Sequence, residues 1–379
     1  MRHLLTVVVL IFWVTQSMAQ SPLPIVKATS KTVSIRDGKD FHSATWTLVP
    51  ELRPDIYHSS KLGERVTFYT DIDSISVDLR ENTKFDFVIL LNGKDSAFTQ
   101  IAYREPYLTT LKKAAEYDNT QRRNIPKFTY AGLNDVDLQK IRKAFNLDSI
   151  AGKGSEASKF INMMDWVHNI VRHDGNSRNP KLQNAIDLIK VCQNENRGIN
   201  CRMMATVLNE CYLAMGFKSR MVTCMPKPLK FQDCHVINAV YSNELGKWVW
   251  MDPTFSAYVM DEKGELLGIQ EVRERLVNDK PLILNPDANW NRRVSQTKEH
   301  YLYEYMAKNL YRLEVPVRSA YDVETNGKDK TVEYVQLLPL DGINQKPEIR
   351  ESKYKSGMVL RFYITNNPKQ FWEMTPAVN

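Results

Sequence analysis

Gly198-Ile199-Asn200-Cys201-Arg202-Met203-Met204, then Cys234-His235-Val236-Ile237, then Trp248-Val249-Trp250-Met251-Asp252-Pro253-Thr254, is the part of the sequence on which the fold turns. From Cys201 onward the apolar positions Met204, Leu208 and Cys211/Tyr212 recur at helical spacing, and Gly216 falls where a left-handed residue closes a helix. Past Gly216 the period changes to two, so 218–224, 235–242 and 247–253 read as strands. Helix first and sheet second is the order of an α+β fold.

The same stretch carries chemistry. A thiol at a helix start sits near a partial positive charge of roughly +0.5 and beside amides with no intrahelical partner, both of which favour thiolate. His235 and Asp252 lie on neighbouring predicted strands joined by Asn243-Glu244-Leu245-Gly246, a turn that sets them opposite or diagonal across a hairpin. Directly opposite Cβ atoms are ~4.5–5.5 Å apart, close enough for a carboxylate to hold an imidazole's tautomer and stabilise its cation. Cys201, His235 and Asp252 are therefore the candidate nucleophile, base and orienting carboxylate. Trp248 and Trp250 share one strand face and are candidates for a substrate groove, although core packing explains them equally well.

Working outward, Gly152-Lys153-Gly154-Ser155 marks a boundary, with Ser155 as the cap of a helix over 156–172. A second helix is expected over 182–192. Residues 37–105 alternate in the β manner and carry the turn signal Asn92-Gly93, which predicts a small all-β domain. The expected layout is a signal peptide at 1–19, a linker at 20–36, the β domain at 37–105, a mixed connecting segment at 106–154, an α+β core of helices packed on an antiparallel sheet at 155–260, and an α/β extension at 261–379. The leader is read from Met1-Arg2-His3, the apolar run Leu4 to Val14 and the small residues Ser17 and Ala19. Its apolar run is too short to span ~30 Å of hydrocarbon, so no integral membrane segment is expected after cleavage.

Composition narrows the partners. The chain has 379 residues, 43% hydrophobic and 25% charged, enough to build a real core. Its formal charge of +7 is spread along the sequence, with nothing longer than pairs such as Arg122-Arg123, which argues against a nucleic-acid footprint. Five cysteines (192, 201, 211, 224 and 234) cluster together, and an odd number in an exported chain leaves one thiol over. If that one is Cys201, the other four form two disulfides in one of three connectivities or are simply buried. No C-x-x-C, Gly-x-Ser-x-Gly, Walker loop or His-Glu-x-x-His motif is present. His168 and His173 would fall on different sides of a helix, so no zinc site and no cofactor are expected.

The block from Cys201 through Gly216-Phe217-Lys218-Ser219-Arg220 to His235 and Trp248-Val249-Trp250-Met251-Asp252-Pro253-Thr254 resembles the transglutaminase-like superfamily. So do Asp165-Trp166-Val167-His168, Arg172-His173-Asp174 and residues 188–198. Asn309-Leu310-Tyr311 and Asn367-Pro368…Phe371-Trp372 look like the C-terminal extension of exported Bacteroidetes members, and Asn92-Gly93-Lys94-Asp95-Ser96 is similar to an accessory domain in such proteins. The resemblance implies a papain-like fold and a Cys201–His235–Asp252 triad. It also implies an oxyanion hole made of the Cys201 amide and one further donor, for which Asn200, Trp166 and Gln193 are candidates. The implied activity is cysteine-dependent acyl transfer through a thioester, with hydrolysis of protein, peptide or peptidoglycan-type amides in the periplasm or outside the cell. The alternatives are glutamine transamidation and a catalytically silent binding module.

Overall fold

The computed structural model describes residues 22–229, 233–346 and 348–374. The signal peptide expected at 1–19 lies outside the described residues. Among the described residues no helix is long and apolar enough to cross a membrane. The chain divides into two compact units, the first ending at Glu105 and the second beginning at Pro106.

The first unit is all β. Its strands form two four-stranded sheets, one ordered Ile25–Ala28, Lys84–Leu91, Asp95–Tyr103, Asp55–Ser59 and the other Asp40–Thr47, Thr32–Asp37, Arg65–Tyr69, Ser74–Asp78. Alternate residues Phe87, Ile89 and Leu91 turn inward and meet Val33, Ile35, Val66 and Phe68 of the other sheet, with Phe68 edge-on to Phe87 at 5.4 Å. Asn92 and Gly93 both take positive φ, 52° and 67°, in the tight turn Asn92-Gly93-Lys94 between paired Leu91 and Asp95. The linker expected at 20–36 is corrected here. Ile25–Ala28 and Thr32–Asp37 are strands in which Val26, Ala28, Val33 and Ile35 are buried. Such short strands alternate over too few residues to stand out from a polar segment.

The second unit is mixed α+β. Its centre is the helix Cys201–Ala214, in which every residue from Met203 to Ala214 is buried. A helix hidden all round needs partners on every side. Glu156–Ile170, Ala185–Asn194, Val136–Phe145 and Leu147–Ala151 surround it in one apolar cluster. The last two helices lie in the segment read from sequence as a connector (106–154), and Leu138, Ile141 and Leu147 are fully buried there. Their charged faces conceal this, because four core residues in two short helices leave most of the sequence polar.

The remaining side of the central helix rests on a seven-stranded sheet, where Asn238 Nδ2 donates to Ala205 O at 3.0 Å. Its order is Lys247–Met251, His235–Ser242, Ser219–Met225, Arg312–Pro316, Thr331–Leu337, Val359–Thr365, Ile349–Lys353. All neighbours are antiparallel except Thr331–Leu337 with Val359–Thr365. The strands assigned from sequence to a C-terminal extension thus continue the sheet that carries His235 and Asp252. The opposite sheet face is covered by Ile269–Val277 and the π-helix Glu299–Met306 over a second core of Val222, Ile237, Ala239 and Trp250.

Arg220 pins the C-terminal segment to this core. Its guanidinium is completely buried, lies 4.2 Å from the ring centroids of both Phe128 and Trp248, and donates to Tyr130 Oη, Phe371 O and Glu373 O. Aromatic faces and main-chain carbonyls take the place of a carboxylate partner. Replacing Arg220 by Met keeps most of the volume but leaves these acceptors without a donor. We expect Arg220→Met to lower the unfolding free energy by about 2–4 kcal/mol, read as a lower urea midpoint at unchanged slope.

Candidate functional site

The site begins with a close approach that only glycine permits. A Cβ on Gly198 would lie 2.5 Å from Arg172 O and 2.7 Å from Asp174 Cβ. Without it the two chains touch as a short parallel bridge, Ile199 N donating to Arg172 O at 3.0 Å and Asp174 N to Ile199 O at 2.8 Å. Asn200 then caps the central helix by accepting from Met203 N at 3.1 Å, and Cys201 is the first helical residue. The bridge sets His173 beside the thiol.

The second half comes from the hairpin. Ser242 pairs with Lys247 and Asn238 with Met251, so Asp252, next in line, stands diagonal to His235. His235 Nε2 and Asp252 Oδ2 are 2.7 Å apart, with both side chains essentially excluded from solvent. Asp252 is saturated with donors: Oδ2 also accepts Tyr301 Oη–H at 2.6 Å, and Oδ1 accepts the amides of Thr254 and Phe255 at 2.9 and 3.4 Å. Edge-on rings of Phe255 and Tyr305, centred 5.5 and 5.2 Å from the imidazole, keep the pair dry. His235 Nδ1 is buried without a hydrogen-bond partner among the described residues, and the ring interacts electrostatically with Cys201.

These contacts decide the charge state. Burial resists ionisation of Cys201, but hydrogen bonds with His173 and His235, the charge of His235 and the Val236 amide outweigh it and bring the thiol down to about 6. Burial likewise opposes a charged His235, and the charge and hydrogen bond of Asp252, with help from Cys201, lift the ring to about 10. Both shifts favour thiolate beside imidazolium. The other cysteines move the opposite way: burial raises Cys192, Cys211 and Cys224, and pushes Cys234 up to about 11. All five thiols are unpaired, so neither of the two disulfides considered from the sequence is present.

Cys201, His235 and Asp252 are thus brought together, and the other candidates are not. Asn200 is occupied by its cap and by a bond from Nδ2 to Asn179 Oδ1 at 2.7 Å. Trp166 packs on Phe145, ring centres 5.3 Å apart, in the helical core, and Gln193 is exposed near the end of its helix. Trp248 and Trp250 are core residues, 7% and 0% exposed: Trp248 covers Arg220, and Trp250 lies edge-on behind Tyr301. His173 was set aside because a helix through it would turn it away from His168. That helix stops at Ile170, and the bridge to Ile199 redirects the chain. Tyr301 and Tyr305 were also missed; their i, i+4 spacing was the available signal. A groove of about 700 Å³ is lined by Arg202 and Cys234, the chain neighbours of Cys201 and His235, and by Glu314, Tyr334, Gln336 and Phe362, among others.

Residues 143–253 match the family model described as the transglutaminase-like superfamily. That stretch, which holds Cys201, His235 and Asp252, has a transglutaminase-like fold. Among solved structures it is similar to a Cytophaga hutchinsonii protein described as a candidate cysteine protease, at 22% identity and TM-score 0.25, over 31% of this chain and 37% of that one. It is also similar to Legionella pneumophila LapG in an EGTA-treated form, at 15% identity and TM-score 0.24, over 35% of this chain and 74% of the other. No curated protein matches the sequence.

Placing a methyl group at Gly198 should separate the two bridged chains. We expect Gly198→Ala to slow iodoacetamide alkylation of Cys201 at pH 7 by about fivefold or more, and to cost about 1–3 kcal/mol of stability in urea.

Proposed function

We propose that this protein is a cysteine-dependent acyl-transfer enzyme that hydrolyses peptide or related amide bonds through a thioester on Cys201. The observation that carries the reading is the buried His235–Asp252 pair, Nε2 to Oδ2 at 2.7 Å, with Cys201 interacting with the same imidazole. The thiolate attacks the amide carbonyl, and the C–N bond breaks as His235 passes its Nδ1 proton to the leaving amine. Water then attacks the thioester, giving up a proton to His235, and the acid departs as the sulfur regains its electron pair. Asp252 keeps the imidazole oriented throughout. The amide of Cys201 in the helix's first turn and the ring of His173 are the candidate donors to the developing oxyanion.

The groove reached through Arg202 and Cys234 suits an extended chain, since its lining combines aromatic surface (Tyr334, Tyr354, Phe362) with charged and amide groups. Hydrolysis is preferred to transamidation because water needs no second binding site, whereas an acceptor amine must be held. A protein, peptide or peptidoglycan-type amide is the substrate class, met in the periplasm or outside the cell if the leader expected at residues 1–19 directs export. The unpaired Cys201, supplied with donors that favour its thiolate, speaks against a silent binding module.

The pH dependence of alkylation tests this reading. Reactivity of Cys201 should persist down to about pH 6, well below the ~8.5 of a free cysteine, and should fall as the thiolate is protonated at lower pH. His235→Ala should lose the low-pH reactivity. Asp252→Asn should slow amide turnover by on the order of a hundredfold or more. With an unfolded protein substrate and a primary-amine probe, cleavage without amine incorporation is expected, and incorporation without cleavage would select transamidation. A thiol with ordinary reactivity, indifferent to His235, would refute the enzyme reading.

A further inference from the structure

His173 owes its place to a second element. Asn289–Trp290 and Val294–Ser295 form a small antiparallel hairpin, and its tip grips the segment that carries His173. Asn291 takes both main-chain groups of that residue: its Oδ1 accepts His173 N–H at 2.7 Å and its Nδ2 donates to His173 O at 3.0 Å. The Trp290 indole N–H donates to His173 Nδ1 at 3.1 Å. Arg292 extends the grip with a 2.6 Å bond to Asn169 O. Asn291 and Arg292 both have left-handed backbones, φ 54° and 57°, as the tight turn demands. For arginine that conformation costs roughly 1 kcal/mol, and these side-chain bonds help to hold it.

The chemistry follows from donor and acceptor counts. An indole nitrogen only donates, and a neutral imidazole has one donor and one acceptor nitrogen. A bond from Trp290 therefore makes Nδ1 the acceptor and puts the proton on Nε2. Since Nδ1 is engaged by the indole, Nε2–H is left to meet the Cys201 sulfur, whose thiolate form His173 favours. With the other tautomer, the ring would offer a lone pair to a thiolate or an oxyanion, which is repulsive. We propose that Trp290 and Asn291 are positioning residues of the acyl-transfer site, fixing His173 in the one tautomer and orientation that directs Nε2–H at Cys201. This rests on the acyl-transfer reading and adds a fourth side chain to it, held from outside the segment that matches the family.

Trp290 is 36% exposed, so Trp290→Phe removes the N–H with little disturbance to packing. The test is the pH profile of iodoacetamide alkylation of Cys201 in the wild type, Trp290→Phe, His173→Ala and the double variant, with His235→Ala alongside. Loss of a single charge-assisted bond should slow alkylation near pH 6.5 by roughly threefold to tenfold in Trp290→Phe and more in His173→Ala. In the His173→Ala background, Trp290→Phe should have no further effect, a dependence that general destabilisation would not produce. A Trp290→Phe profile matching the wild type, or losses that multiply in the double variant, would overturn the positioning role while leaving the thiolate–imidazolium pair intact. A wild-type thiol with no low-pH reactivity, unchanged in His235→Ala, would overturn both readings.

Discussion

A carboxylate buried in an apolar core is costly unless donors surround it, and Asp252 is answered by four: His235, Tyr301 and the amides of Thr254 and Phe255. They come from three separate pieces of the fold. His235 opens the neighbouring strand, Tyr301 stands on the π-helix that covers the sheet, and the two amides belong to the turn just past Asp252. Satisfying one oxygen pair therefore aligns strand, turn and covering helix at once. It also explains the dry aromatic surround, since Phe255 and Tyr305 are carried by the same turn and helix.

The thiol is delivered by a different constraint. A helix buried along its whole length has no freedom to shift, and Cys201–Ala214 is held on every side. Within it, Tyr212 Oη donates to Phe160 O, and Glu210 accepts the amides of Ala185 and Asp322 at 2.8 and 2.9 Å. Burial pushes that carboxyl up to about 8, against the pull of its two amide donors. The side chain is a polar tie between the central helix, the helix at Ala185 and the turn at Asp322. The rigid helix and the saturated carboxylate meet at Cys201 and His235, whose charges act on each other.

Local pattern carried much of this. The helix at Cys201, the hairpin at 235–253 and its register are visible because apolar spacing and a four-residue turn are short-range signals. Those signals bring Cys201, His235 and Asp252 into one region. They say nothing of Tyr301, which reaches Asp252 across 49 residues, or of Trp290, which reaches His173 across 117. No period in the sequence records a side chain that bridges such a gap. The tryptophans at 248 and 250 show the converse: alternation places them on one face, and only the layer packed over that face decides between groove and core.

What the sequence determined by itself was the local geometry: which residues are helical or extended, where glycine must stand, and which thiol, imidazole and carboxylate share a neighbourhood. What only the tertiary structure decided was solvation and proton placement. Whether Cys201 is a thiolate depends on burial against donors, and which nitrogen of His173 bears hydrogen depends on an indole from a distant hairpin. Both depend on groups remote in the chain, because hydrogen bonds and desolvation act through space.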